Sequence, residues 1–532
     1  MAAANIDPKS GFCAATGTYT SKRERAHLPS DPSLTLPTFI LHRPTLNPSA
    51  IAYIDATTGT SLSYGDLKTQ VFSVAAGLSS FGVQPGDVVL VLSPNSIALG
   101  VIVLAIMACG AIVTTTNPLN TPAEIAKQAS DSKAKFVASL PSLLAKLPKL
   151  PLILLRDLCK DDLDSLPLHG KLARANLELD RNGSALVIAK LGFPRFCTFS
   201  ELLLSKSQIA LPHSGRQDDV AALLYSSGTT GASKGVILTH RNFIAQGSTV
   251  VVQQKFDFVE TLAAVQKFRI THMPVVPPIL IALAKSPMVQ KFDLSSLCNV
   301  GSGAGPLGKE VMDAFSARFP NVVIPQGYGM TESTAVGAHT ARAEETKHYG
   351  STGLIAANTE FKIVDVDSGL PLPPNQRGEI WMRGPTIMKG YFGRPGETAA
   401  VIDKEGWLHT GDLGYIDSEG YLFIVDRLKE LIKYKGLQVP PAELEAVLLS
   451  HPKIMDAAVI PFPDKEAGQI PLAFVVRNPE STLTEEDVKK FVADQVAPYK
   501  KVRKVAFVTS IPKSSAGKIL RKDLVQIASS KL

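Results

Sequence analysis

The chain has 532 residues, of which 45% are hydrophobic and 19% charged, enough length and apolar content for more than one buried core. Lys and Arg number 55 against 48 Asp and Glu, a net charge of +7 with no long basic run, so the composition gives no sign of a nucleic-acid surface. The cysteines Cys13, Cys109, Cys159, Cys197 and Cys298 are odd in number and form no Cys-x-x-Cys pair, which argues against a disulfide framework or zinc site and for a reducing compartment.

Residues 1–25 are rich in small polar side chains and lack the apolar core of a cleaved signal. Apolar residues at helical spacing predict an amphipathic helix over Tyr64–Phe81, stopped by Gly82, and Gln84-Pro85-Gly86-Asp87 turns into a strand over Val88–Leu92. The apolar run 97–113 falls short of the ~20 residues that span a bilayer, and it starts at the helix-opening cluster Ser93-Pro94-Asn95-Ser96. A buried helix ending at Gly110, followed by a strand over 111–115, is the better reading. This strand, helix, strand order predicts an α/β fold built on mixed, mostly parallel sheets covered by helices. Residues 157–215, with scattered charge, Pro, Gly and Ser, read as an extended excursion between core elements.

The densest signal is Leu223-Leu224-Tyr225-Ser226-Ser227-Gly228-Thr229-Thr230-Gly231-Ala232-Ser233-Lys234-Gly235-Val236. Glycines bring backbone N–H groups close to an anion, hydroxyls add uncharged donors, and the lysine supplies a point charge for a polyphosphate. A Walker A pattern cannot be laid on it. A short Ser/Thr/Gly run alone would also fit a polar surface loop. The whole string, however, resembles the phosphate-loop signature of the acyl-adenylate-forming superfamily, and the chain from about residue 32 onward resembles its 4-coumarate:CoA ligase-like acyl-CoA synthetases. The resemblance lapses around 171–193, which reads as an insertion.

A second departure follows the phosphate loop. Thr239 can cap a short helix over His240-Arg241-Asn242-Phe243, but the chain then passes almost at once to a strand over 248–252. Members of the family carry on the order of forty more residues between the positions of Ala245 and Gln246, including a core strand, a helix and a histidine and aromatic residue that help seat the acyl carboxylate. No substitute for that histidine is visible, so the resemblance also leaves open a catalytically impaired nucleotide-binding variant.

Beyond the gap the matched motifs are Gly301-Ser302-Gly303-Ala304-Gly305-Pro306-Leu307, Gln326-Gly327-Tyr328-Gly329-Met330-Thr331-Glu332, and Trp407-Leu408-His409-Thr410-Gly411-Asp412, where Asp412 is expected on a tight turn. A hairpin about Asp417-Ser418-Glu419-Gly420 ends in Asp426-Arg427-Leu428-Lys429, which resembles the family's interdomain hinge. Domains over 1–426 and 427–532 are expected, the second a small mobile α+β unit opening on Glu430-Leu431-Ile432-Lys433-Tyr434-Lys435-Gly436-Leu437-Gln438-Val439 and carrying Pro512-Lys513-Ser514-Ser515-Ala516-Gly517-Lys518.

The resemblance implies ATP, Mg²⁺ and coenzyme A with a small carboxylic acid, either a hydroxycinnamate, a fatty acid or an oxylipin precursor. It implies that Ser226, Ser227, Gly228, Thr229, Thr230 and Lys234 hold phosphates, with Gln326, Gly327 and Tyr328 on the nucleotide. Tyr328 offers a stacking face for adenine, Thr331 a hydroxyl for the α-phosphate, and Glu332 a hard oxygen for Mg²⁺. Asp412 and Arg427 would take ribose and phosphate, and Ala304 would border the substrate. Lys429 and Lys433 would flank the acyl-AMP, Gln438 would contact AMP, Lys435 and Gly436 would face coenzyme A, and Lys518 would serve adenylation. A luciferase-like oxidation uses the same adenylating half and stays open. Ser530-Lys531-Leu532 has the form read by the peroxisomal import receptor, which predicts a peroxisomal location.

Overall fold

The computed structural model describes residues 6–43, 46–158, 162, 181–205, 215–226, 233–244, 250–303, 307, 309–334, 336–478, 481–513 and 519–531. Ser227, Gly228, Thr229, Thr230, Ala304, Lys518 and Leu532 of the expected site and signal lie outside them, as do 248–249 of the expected strand.

The expected parallel sheet is an eight-stranded one, ordered Gly390–Tyr391, Lys234–Thr239, Val220–Ser226, Ile112–Thr116, Val88–Leu92, Ala134–Ser139, Leu152–Leu154 and Phe196–Thr198. From Val220–Ser226 to Phe196–Thr198 all pairings are parallel, and the two strands at the other end are antiparallel. Val88–Leu92 is buried at every position, the consequence of a continuous apolar run with helices on both faces. The helix Tyr64–Phe81 starts where Ser63 Oγ accepts from Asp66 N, and it stops at Gly82, whose φ of +102° is the left-handed state glycine adopts freely. The helix Ile97–Ala108 packs against the sheet with it, and no helix among the described residues is long and apolar enough to cross a membrane.

The 157–215 stretch differs from the expected irregular excursion. It contains the helix Arg181–Lys190, the edge strand Phe196–Thr198 and the helix Phe199–Leu203. Val187, Ile188, Leu191 and Phe193 are buried against Leu90, Leu92, Leu152 and Leu154. The local pattern is too short to announce a helix; the apolar sheet face supplies the burial that stabilises it.

A nine-stranded sheet, antiparallel throughout, takes Phe12–Cys13, Thr18–Thr20, Glu360–Val364, Gly378–Arg383, Leu408–Ile416, Tyr421–Arg427, Ser351–Ile355, Ala338–His339 and Gly327–Tyr328 in that order. The fold is α/β, with the parallel order concentrated in the first sheet. Downstream of the gap, Val250–Val252 joins Ile51–Asp55 in a small sheet. His272–Val275 pairs in parallel with Asn299–Ser302 on one side, has no second neighbour among the described residues, and is exposed or half-buried along its length.

The last hundred or so residues form a separate five-stranded sheet, Leu437–Val439, Ile432–Tyr434, Gly468–Arg477 and Ile454–Asp464, with Lys504–Phe507 beside Gly468–Arg477. Helices Pro441–Ser450 and Glu485–Ala493 bury Leu444, Leu448, Val488 and Val492 in its core, whose buried residues all lie beyond residue 431. The closing helix is Arg521–Lys531, which takes in Ser530 and Lys531.

Candidate active site

The phosphate-loop motif is the connection of an antiparallel hairpin. Val220–Ser226 pairs with Lys234–Thr239, and Ser226 stands directly opposite Lys234. Ser233 Oγ donates to Ser226 O at 3.1 Å, while the buried Ser226 Oγ has no hydrogen-bond partner among the described residues.

Lys234 is buried, and its Nζ lies 2.6 Å from Glu397 Oε2 and 4.7 Å from the centroid of the Tyr391 ring. Tyr391 Oη donates to Glu332 Oε1 at 3.0 Å. Burial and the neighbouring Glu332 carboxylate hold the Tyr391 phenol far above its ordinary pKa, so at neutral pH it is a donor to that carboxylate. Met388 N donates to Glu332 O at 2.8 Å, which pins the turn Thr331–Ser333 to the 384–392 segment. Tyr391 and Glu397 escaped the sequence reading because Gly-Tyr and Pro-x-Glu are common pairs, and their partners lie far away along the chain. Only the pairing of Gly390–Tyr391 with Lys234–Thr239 brings them together.

A second cluster joins Tyr328, Asp412 and Arg427. Tyr328 Oη donates to Asp412 Oδ2 at 2.7 Å, Arg427 Nε lies 3.4 Å from Asp412 Oδ1, and Asp412 and Arg427 face each other across two strands. Burial, then Asp412, pushes the Tyr328 phenol well above its ordinary value. Asp412 is buried within the strand Leu408–Ile416, which corrects the expected tight turn. The Gly411 backbone is left-handed as a turn requires, with φ +71°, but the strand absorbs it as a local irregularity and continues.

Gln326 is buried. Its backbone bridges Ser302, and Ser302 N donates to Pro325 O at 2.7 Å, so the 301–303 and 326–328 motifs run side by side. A Cβ on Gly303 would meet nothing within 4 Å among the described residues, which suits a flat ligand lying against the backbone there.

In the C-terminal unit Lys433 pairs with Gln438 across a hairpin whose turn is Lys435-Gly436, with φ of +47° and +80°. Two left-handed residues in succession make the tight turn that suits a two-residue hairpin. Lys433 N donates to Gln469 Oε1 and Lys435 N to Ala467 O. Lys429 is exposed in the turn that follows Arg427. Beside it a buried network forms: Asp426 Oδ2 accepts from Ala442 N at 2.9 Å, and Arg521 binds Glu430 at 2.7 Å as well as Glu445. Burial raises the Asp426 pKa to about 6.

The resemblance noted in the sequence has an independent counterpart. The AMP-binding enzyme profile matches residues 41–247 and 243–392, and the AMP-binding enzyme C-terminal domain matches 443–518. The chain belongs to the AMP-binding enzyme family. It is 46% identical to a probable CoA ligase of Humulus lupulus, CCL5, over 99% of this chain and 98% of that one, and 46% identical to the peroxisomal OPC-8:0-CoA ligase 1 of Arabidopsis thaliana over 99% of each. An ATP-bound MatB from Rhodopseudomonas palustris superposes with a TM-score of 0.77 at 25% identity, covering 93% of this chain and 99% of the other. Membership of this family and end-to-end similarity to its CoA ligases support an ATP-dependent acid–thiol ligase of the acyl-CoA synthetase class. The profile breaks in two at 243–247, and the Humulus alignment is 571 columns long against a chain of 532 residues, so relatives carry residues that have no counterpart here.

Proposed function

We propose that this AMP-binding enzyme activates a small carboxylic acid in two steps. A carboxylate oxygen attacks the α-phosphorus of ATP, the bond to the β-phosphate oxygen breaks, and pyrophosphate leaves. The sulfur of coenzyme A then attacks the acyl carbon, and AMP leaves with the bonding electrons. The observation that carries the reading is the pair of clusters Tyr328–Asp412–Arg427 and Lys234–Tyr391–Glu332, one suited to ribose and α-phosphate and the other to the polyphosphate.

In this reading Ser226, Ser227, Gly228, Thr229, Thr230 and Lys234 hold phosphates, and Gln326, Gly327, Tyr328, Asp412 and Arg427 hold the nucleoside and α-phosphate. Thr331 takes the α-phosphate and Ala304 borders the acyl group. Lys518 stabilises the attacked phosphate in the first step, Lys429 and Lys433 flank the acyl-AMP, Gln438 touches AMP, and Lys435 with Gly436 meets coenzyme A. Glu332 belongs to no group of three potential metal ligands among the described residues, which suits Mg²⁺, an ion that typically takes one or two carboxylates and completes its shell with phosphate and water. Mg²⁺ bound there would neutralise charge on the leaving pyrophosphate.

The division at 426/427 into a large adenylating region and a small mobile domain is supported by the self-contained core beyond residue 431. Import into peroxisomes through Ser530-Lys531-Leu532 is supported by the similarity to the peroxisomal OPC-8:0-CoA ligase 1 of Arabidopsis thaliana. Acid-dependent ATP–pyrophosphate exchange and thioester formation, measured with hydroxycinnamates, fatty acids and oxylipin precursors, test the activity and choose the acid. The gap after Ala245 favours a second reading, an impaired nucleotide-binding variant, whose mark is ATP binding at equilibrium without acid-dependent pyrophosphate release.

A further inference from the structure

Lys234 is held away from solvent by two groups that are not phosphate. Its Nζ is 2.6 Å from Glu397 Oε2 and lies over the Tyr391 ring, and only 10% of its side chain is exposed. A buried ammonium without a counter-charge is costly, so the folded chain needs an anion at this point before any nucleotide arrives. Glu397 supplies it from the short helix Pro395–Ala399, where its side chain is 40% exposed. Glu397 also has a second cation, since Arg394 Nη1 donates to its Oε1 at 2.8 Å. Lys234 and then Arg394 hold the Glu397 carboxyl below its ordinary pKa, so it is charged at neutral pH. When Lys234 is withdrawn, Glu397 is left paired with Arg394 rather than stranded.

We infer that Glu397 is a placeholder for the ATP polyphosphate: it keeps Lys234 paired and oriented before nucleotide binds, yields to the phosphates on binding, and recaptures Lys234 as pyrophosphate leaves. This rests on the phosphate-binding reading of Lys234. Glu397 is thereby a positioning residue that weakens polyphosphate affinity by competition and hastens pyrophosphate release, with no effect on AMP, which lacks the phosphates concerned.

The test is calorimetric titration of the purified chain with Mg-ATP, magnesium pyrophosphate and AMP, alongside thermal unfolding without nucleotide. Glu397→Gln is expected to bind Mg-ATP and pyrophosphate about three- to fivefold more tightly, the size expected for release from a partly exposed ion pair. Its AMP affinity should be unchanged, its nucleotide-free unfolding temperature lower, and its stabilisation by pyrophosphate larger. Lys234→Gln should weaken pyrophosphate and ATP but not AMP. If Lys234→Gln leaves pyrophosphate affinity unchanged, the phosphate reading of Lys234 fails and this inference with it. If Lys234→Gln weakens pyrophosphate while Glu397→Gln leaves it unchanged or weaker, or tightens AMP equally, the placeholder role alone is overturned.

Discussion

The chemistry converges on single atoms whose partners decide what each can do. Glu332 could serve as a metal ligand only if its carboxylate is aimed, and the Tyr391 hydroxyl, donating to Oε1 at 3.0 Å, holds it in place. Tyr391→Phe keeps the ring over Lys234 and removes only this donor. A hydrogen bond to a charged group is worth roughly 1.5–3 kcal/mol, so acid-dependent pyrophosphate exchange should fall about tenfold or more. The Mg²⁺ concentration giving half-maximal exchange should rise with it. Titrating exchange against Mg²⁺ checks this, and an unchanged Mg²⁺ dependence would show that Tyr391 does not position Glu332. Asp412 follows the same logic: buried between Tyr328 Oη and Arg427, it is an acceptor held at a fixed point.

At the scale of elements, the junction after Tyr421–Arg427 is an electrostatic joint. Asp426 caps the start of the helix Pro441–Ser450 through Ala442 N, and Arg521, at the foot of the Lys518 loop, ties Glu445 on that helix to Glu430 beside the proposed hinge. Burial raises the Asp426 pKa from 3.8 to about 6, so the folded state holds a proton that the unfolded chain has lost in this interval. The sign follows: the contribution is fully present below pH 3.8 and is lost as pH rises through 6. Between about pH 4 and 7 the wild-type chain should therefore lose about 2–3 kcal/mol relative to Asp426→Asn, which cannot titrate. Thermal unfolding of both proteins across this range checks it. A constant difference between them would mean that Asp426 ionises normally. The proposed hinge allows a second test at this joint. Fixing φ with Lys429→Pro should preserve pyrophosphate exchange and abolish thioester formation if residue 429 carries the rotation between half-reactions. Equal loss of both activities would place the rotation elsewhere.

For the whole molecule the gap between Ala245 and Gln246 matters most. The strand His272–Val275 has no outer neighbour among the described residues and is exposed or half-buried throughout, as expected of an edge that a missing strand would cover. Relatives that match end to end carry the extra residues, including those in which the resemblance locates a histidine for the acyl carboxylate. Restoring the segment from a relative should raise solubility and speed acid-dependent pyrophosphate release roughly a hundredfold or more, the usual cost of leaving a reactant unpositioned. Equal rates for the two chains would mean that another residue has taken over the role of that histidine.

The sequence by itself determined whatever is local. The helix Tyr64–Phe81 with its glycine stop, the all-apolar strand Val88–Leu92, the hairpin turn at Gly420 and the helix Pro441–Ser450 are each specified by neighbours a few residues away, through periodicity, caps and turn chemistry. The motifs that carry Lys234, Glu332, Asp412 and Arg427 were legible through their resemblance to a known family, because each is a contiguous run of the chain. Tertiary structure alone decided the rest. Arg181–Lys190 is a helix because a sheet face covers it, and Asp412 is a strand residue because antiparallel neighbours absorb the left-handed glycine before it. Tyr391 and Glu397 reach Glu332 and Lys234 because a two-residue strand pairs with the far side of the phosphate hairpin. Such meetings arise from long-range backbone pairing and shared burial, which leave no regular spacing in the chain to be read.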